Sequence, residues 1–134
     1  MRLFKPAIPF ILPRKVGGIL KPQDVFAASL WSGNGTSRTV TTGIDLATKG
    51  GLVWAKARNA GQSNVLYDTA RGPGKYIRTN ALSSETDISG FGVTSFGTTG
   101  YSINDNGMDA QINEIGVELV GWSFRRAAKL IDLS

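Results

Sequence analysis

Neither cysteine nor histidine occurs in this chain of 134 residues. Without Cys there is neither a disulfide framework nor a thiolate zinc site, and the redox compartment stays open. Without His, the Ser-His-Asp and Cys-His arrangements, the facial iron triad and the histidine zinc sites are excluded together. Catalysis would have to run on carboxylates, Lys or Tyr, and no cofactor or metal is expected. Long apolar runs are missing too. None approaches the roughly 20 residues that a membrane-spanning helix needs, so membrane insertion is not expected. Heptads that would enforce a coiled coil are also absent.

What is present begins with charge. The net charge is +5, and five of the fifteen cations (Arg2, Lys5, Arg14, Lys15, Lys21) precede Pro22 with no acid among them. The remaining ten balance ten acids, so the body is neutral and the surplus belongs to one end. Such an end steers toward an acidic protein surface; a nucleic-acid reader carries its cations on the folded body, so nucleic acid is not the expected partner.

That end, MRLFKPAIPFILPRKVGGILKPQ, holds four of the five prolines. Each removes a backbone donor and pushes its predecessor toward extended geometry, which argues against a helix. Phe4, Ile8, Phe10, Ile11 and Leu12 make it too apolar for a solvated linker. The economical reading of residues 1–23 is an extended arm that docks on something, with packing along its own domain as the alternative. A signal peptide would lack its small-residue cleavage site here.

From Val25 onward, short β-prone runs alternate with Gly, Asn, Asp and Ser: VFAASLW, SRTVTTGI, GLVWAKAR, NVLYDTA, KYIRTN, FGVTSF, YSI and VELVGWSFR. Eight runs at this spacing predict an all-β, antiparallel sandwich or barrel over residues 24–127. In 117–124 the alternation sets Val117, Leu119, Gly121 and Ser123 against Glu118, Val120, Trp122 and Phe124, and the large-residue side is expected to be the buried one. Val53, Ala55 and Ala57 form a small apolar face. A short helix over Asp109 to Ile115 is also conceivable from DAQINEI.

Several stretches invite a chemical reading. SGNGTS, 32–37, has glycines but neither the lysine nor the third glycine of a phosphate loop, and β-branched residues follow where a helix N-terminus would be needed. Asn-Gly between strand-like runs predicts a hairpin turn instead. In ARGPGKYI, Arg71, Lys75 and Tyr76 could hold an anionic or sugar ligand. The competing reading is a type II turn on Pro73-Gly74 with solvated cations. NDNGMD, 104–109, resembles a calcium loop in residue types but not in register. Glu85 with Asp87, and Glu114 with Glu118, are the available carboxylate pairs for glycoside hydrolysis, and solvated acids explain them more simply. Trp31, Trp54 and Trp122 would suit a sugar groove or a core.

WSGNGTSRTVTTGIDLATKGGLVWAKAR, LYDTARGPGKYIRTN, TSFGTTGYSI and VGWSFRR, taken in order, resemble a domain of tailed-phage tail-fibre, appendage and other virion proteins. That domain is similar to concanavalin-A-like, or laminin-G-like, jelly rolls. The resemblance covers about Phe26 to Arg126. It implies a two-sheet antiparallel jelly roll, a place on the virion at the tail or capsid surface, and other virion proteins as partners. It supplies no catalytic residues. The expected function is therefore that of a non-enzymatic structural protein of a tail fibre or other appendage, anchored by its N-terminal arm. A host-glycan receptor-binding module and a capsid decoration protein are the alternatives. A homo-oligomer is expected, a trimer by analogy with fibres. Related chains continue past the WSFR strand, and 128–134 resembles the start of a further module, so both a piece of a longer fibre and a short virion protein fit.

Overall fold

The computed structural model describes residues 20–105 and 112–127. The expected docking arm with Phe4, Ile8, Phe10, Ile11 and Leu12, the end at 128–134 and most of NDNGMD lie outside these residues. The order is α1 (Pro22–Val25), β1 (Phe26–Ser32), β2 (Arg38–Thr41), α2 (Leu46–Lys49), β3 (Gly51–Ala57), β4 (Val65–Asp68), β5 (Lys75–Arg78), β6 (Thr86–Asp87), β7 (Gly92–Phe96), β8 (Gly100–Asn104) and β9 (Glu118–Arg125). Each of the eight predicted runs became a strand. Of the helix expected over Asp109 to Ile115, 109–111 lie outside the described residues, and 112–116 are bends and turns without helix. The arm's far end is also not extended throughout: Pro22 opens a one-turn helix at N1, where its missing N–H costs nothing, and Asp24 Oδ2 accepts from the Lys21 amide at 3.0 Å.

Two antiparallel sheets form the sandwich, one of six strands in the order β1-β9-β3-β4-β5-β6 and one of three in the order β2-β8-β7. Their facing sides share one core. Trp31, Val53, Ala55, Val65, Tyr67, Tyr76 and Leu119 come from the large sheet and Val40, Val93, Tyr101 and Ile103 from the small one. The predicted small face of β3 is indeed buried.

For β9 the expectation is reversed. Leu119, Gly121 and Ser123 face the core, while Phe124 is exposed and Trp122 half-buried on the outer side. The reason is volume. Trp31 and Tyr101 meet edge-on above Gly121, their ring centroids 6.2 Å apart. A Cβ built on Gly121 would lie 2.5 Å from Tyr101 Oη and 2.8 Å from Trp31 Cζ3. Small residues on β9 leave space for these rings, so its own large residues point out.

SGNGTS turns out not to be a hairpin. β1 pairs with β9 and β2 with β8, so the stretch carries the chain from one sheet to the other. The corner is pinned by Asn113, fully buried although polar. Asn113 Oδ1 accepts from the Asn34 amide at 3.2 Å, and its Nδ2 donates to Asn34 Oδ1 at 3.0 Å and to the Thr36 carbonyl. The backbone adds Gly35 N–H to Asn113 O at 2.7 Å and Gly33 N–H to Val117 O at 2.8 Å. Gly33 lies so close to the Glu114 carbonyl that a side chain there would collide with it. A turn composition was legible, but which sheet each flanking strand joins is a long-range matter.

Candidate functional site

Two surface features stand out, both built on the large sheet. The first is its outer face. The register sets Phe26 opposite Phe124 and Leu30 opposite Val120 on β1 and β9. It sets Leu52 opposite Phe124 and Trp54 opposite Trp122 on β3 and β9, and Leu66 bridges Trp54 and Ile77. Alternation puts all of these on the side away from the core. Rings pair along the stripe, Phe26 with Phe124 at 4.9 Å and Trp54 with Trp122 at 5.3 Å. Leu30 is 65% exposed, Phe124 41%, Phe26 39% and Trp54 37%. The Trp54 indole N–H donates to Thr79 Oγ1 at 3.0 Å, which restrains the ring. Among the described residues β1 pairs only with β9, so its other edge is unpaired.

The second feature is a cleft of about 740 Å³ where α2, the start of β3, the end of β4 and the end of β9 converge. Local sequence builds its wall. Asp45 caps α2 by accepting the Thr48 amide at 2.9 Å, Leu46 is fully buried, and the Gly50 N–H closes the turn on Leu46 O at 2.9 Å. The Arg126 amide then donates to Gly50 O at 2.7 Å and the Thr69 amide to Gly51 O at 2.9 Å, joining three chain segments under the cleft. Lys49, Arg71, Arg125 and Arg126 line it, with Asp68 as the one acid. Arg71 is engaged: its guanidinium pairs with Asp68, and with Glu85 Oε2 at 3.1 Å. Among the described residues Lys49, Arg125 and Arg126 have no acidic partner. Arg125 Nε is buried without a hydrogen-bond acceptor.

The ligand trio suggested by sequence is divided between the two sides of the sheet. Arg71 reaches the cleft. Lys75 lies within 3.9 Å of Asp87 on the outer side, and Tyr76 is in the core with its ring 5.5 Å from that of Tyr67. Gly74 takes φ of 77°, the value that the second central position of a type II turn on Pro73-Gly74 needs. Trp31 is a core residue whose indole N–H donates to Ile112 O at 2.8 Å, whereas Trp54 and Trp122 lie outside. Each of the four carboxylates has a partner of its own. Glu85 is held by Arg71, Glu114 accepts from Gln62, Glu118 accepts from Ser32 Oγ at 2.8 Å, and Asp87 accepts from Ser89 Oγ at 2.6 Å. The Ser89 hydroxyl, then its amide and Lys75, hold the Asp87 carboxyl below the usual range. Lys49, Arg125 and Arg126 were missed by sequence reasoning. Their only signal was the pair of adjacent arginines ending the last strand.

A family model described as a domain of unknown function, DUF7483, matches residues 21–131. The chain belongs to the DUF7483 family. Neither a curated protein nor a solved structure matches it. The match takes in the whole sandwich, so the cleft and the outer face of this DUF7483 domain both lie within the family's span. No helix among the described residues is long and apolar enough to cross a membrane.

Proposed function

We propose that this DUF7483 domain is a non-enzymatic structural module of a tailed-phage virion, part of a tail fibre or other appendage. Its body is a jelly-roll sandwich, and the apolar arm of one copy seats on the outer sheet face of the next. The observation that carries this reading is the continuous apolar stripe from Phe26 and Leu30 across Trp122 and Trp54 to Ile77. Single exposed apolar residues are ordinary, whereas a connected set crossing five strands supports reading this face as a protein interface. The resemblance of the ordered motifs to those of virion appendage domains supports the setting. The separately engaged carboxylates support a role without catalysis.

Residues 1–19 suit the face in both chemistry and reach. Phe4, Ile8, Phe10, Ile11 and Leu12 supply apolar side chains. Nineteen extended residues span roughly 60 Å, while six strands spaced about 4.8 Å apart are only about 24 Å across. Pro6, Pro9 and Pro13 lack the N–H groups that adding a strand beside β1 would use, which favours lying across the face. An arm passed from copy to copy closes into a ring when the rotation allows, consistent with a homo-oligomer.

The test uses the full chain, Leu30→Glu, and a deletion of residues 1–22. Leu30 is on an edge strand and largely exposed, so the substitution leaves the fold intact. Sedimentation should show an oligomer for the full chain and a folded monomer for either variant, and neither variant should enter particles. A deletion chain that still assembles and is incorporated would sink the arm; purified particles lacking the chain would sink the virion setting.

A further inference from the structure

The cleft presents a problem that the outer face does not. Three cations converge on one concavity of a body whose charges balance overall, and among the described residues none of the three has an acidic partner. Asp68, the acid in the wall, is already taken by Arg71. Lys49 reaches the cleft as the last residue of α2, and Arg125 and Arg126 as the end of β9 and the residue after it. The pairing of Gly51 with Arg125 brings these distant parts of the chain together.

Arg125 is the more telling of the two arginines. Its Nε is shielded from solvent and has no acceptor. The shielded Nε is itself out of a ligand's reach, but the residue is partly exposed and has no acidic partner among the described residues, so the rest of its guanidinium is available to an acceptor from outside the protein. A guanidinium presents its donors as a planar fork that matches a carboxylate or phosphate, and Lys49 adds a point charge. The cluster occupies a single concavity and not a track along the surface, which suits one or two anionic groups better than a nucleic-acid backbone.

The wall beside the cations is apolar. Phe124 lines the cleft with a partly exposed ring, next to Leu52. Thr48, whose amide donates to the Asp45 cap, is also part of the wall. An apolar ring, a threonine and a cluster of cations together match a sugar ring carrying an acid group, and a volume of about 740 Å³ is within the ordinary range for small-ligand pockets.

We propose that this cleft binds an anionic saccharide, whose carboxylate or phosphate is held by Lys49, Arg125 and Arg126 and whose ring lies against Phe124. This site does not depend on the virion reading. Phe124 and Leu52 belong to the outer stripe as well as to the cleft, but Leu30 does not line the cleft and Lys49 and Arg126 are not part of the stripe, so Leu30→Glu reports on assembly and Lys49→Ala and Arg126→Ala on ligand binding.

Titration calorimetry on the full chain distinguishes the sources of the anion, with glucuronic acid, glucose 6-phosphate, inorganic phosphate and glucose as probes. At least one of the two charged sugars should bind, glucose should not, and inorganic phosphate should bind more weakly than the charged sugar. Lys49→Ala and Arg126→Ala, both at exposed positions, should keep the fold and each weaken the charged sugar about tenfold. Phe124→Ala should weaken the charged sugar while leaving phosphate unchanged. Four results would overturn the proposal: no binding by either charged sugar, equal binding by glucose, affinity unaffected by both cation substitutions, or phosphate binding as tightly as whichever charged sugar binds.

Discussion

Gly121→Ala puts the packing argument for β9 at risk. The residue is central in the six-stranded sheet, between Ser29 on β1 and Ala55 on β3, and its backbone is ordinary strand. A methyl group there needs no unusual φ, so the cost is one of space alone. It would lie 2.5 Å from Tyr101 Oη and 2.8 and 2.9 Å from Trp31 Cζ3 and Cη2. Neither ring is free to leave: the Trp31 indole is tied to Ile112 O at 2.8 Å, and Tyr101 is buried between the sheets. Overpacking of this kind costs about 1–3 kcal/mol, offset by roughly 0.4–1 kcal/mol from the stiffer unfolded chain of Ala. The expected net loss is therefore about 1–2 kcal/mol.

Tyr101→Phe turns this into a sharper test. The Tyr101 hydroxyl is buried with no hydrogen-bond partner, so removing it should not destabilise the protein and should gain up to about 1 kcal/mol. It also removes the atom closest to the new methyl group. The Gly121→Ala penalty should then shrink by about 1 kcal/mol in the Tyr101→Phe background, leaving the contact with Trp31. Urea unfolding of the four proteins closes the cycle, and at ordinary slopes 2 kcal/mol moves the midpoint by roughly 1 M. An unshifted midpoint for Gly121→Ala, or the same loss in both backgrounds, would refute the account of why β9 turns its small side inward.

Two other outcomes follow from buried groups. Asn113→Ala should cost about 3 kcal/mol in thermal or urea unfolding, because the Thr36 carbonyl and the Asn34 amide lose their buried partners. Asn113→Asp should be no rescue, since a carboxylate oxygen would then face Thr36 O and Asn34 Oδ1. Burial pushes the Tyr67 and Tyr101 hydroxyls well above the ordinary phenol value, for Tyr67 with a further push from Tyr76. A folded-state pKa above the unfolded one means full stabilisation below about pH 10 and its progressive loss above that. Phenolate absorbance should accordingly rise together with loss of tertiary structure in alkali; free ionisation of all tyrosines in the native state would contradict the burial.

Local chemistry was legible and long-range pairing was not. The β-branched and aromatic runs located eight strands, but Thr86–Asp87 has no such run and exists as β6 only because Lys75 and Tyr76 pair with it. One helical turn was also passed over at Leu46–Lys49, although Asp before it and Gly-Gly after it are capping signals. In β9 the alternation was readable and its direction was not. Which side is buried depends on the rings of Trp31 and Tyr101, contributed by strands far away in sequence. The cleft shows the same limit. Lys49 and Arg126 look like unrelated surface charges until β3 and β9 align, whereas Arg71 was visible because its Gly-Pro-Gly neighbours advertised a turn.

The inward small face and the outward large one are two sides of one fact about β9. Strand alternation ties neighbours together, so whatever places Gly121 and Ser123 under the rings must place Trp122 and Phe124 on the opposite surface. A surface-only purpose could have been met by polar residues at those outer positions with the core unchanged. The outer side instead carries Val120, Trp122 and Phe124, matched across strands by Leu30, Trp54, Leu52 and Phe26. Core packing therefore accounts for the glycine and the serine but not for the aromatics. Their cost in exposed apolar area is offset only when another surface covers them, which is why the outer face, and not the turn at SGNGTS, is where an assembly role is to be sought.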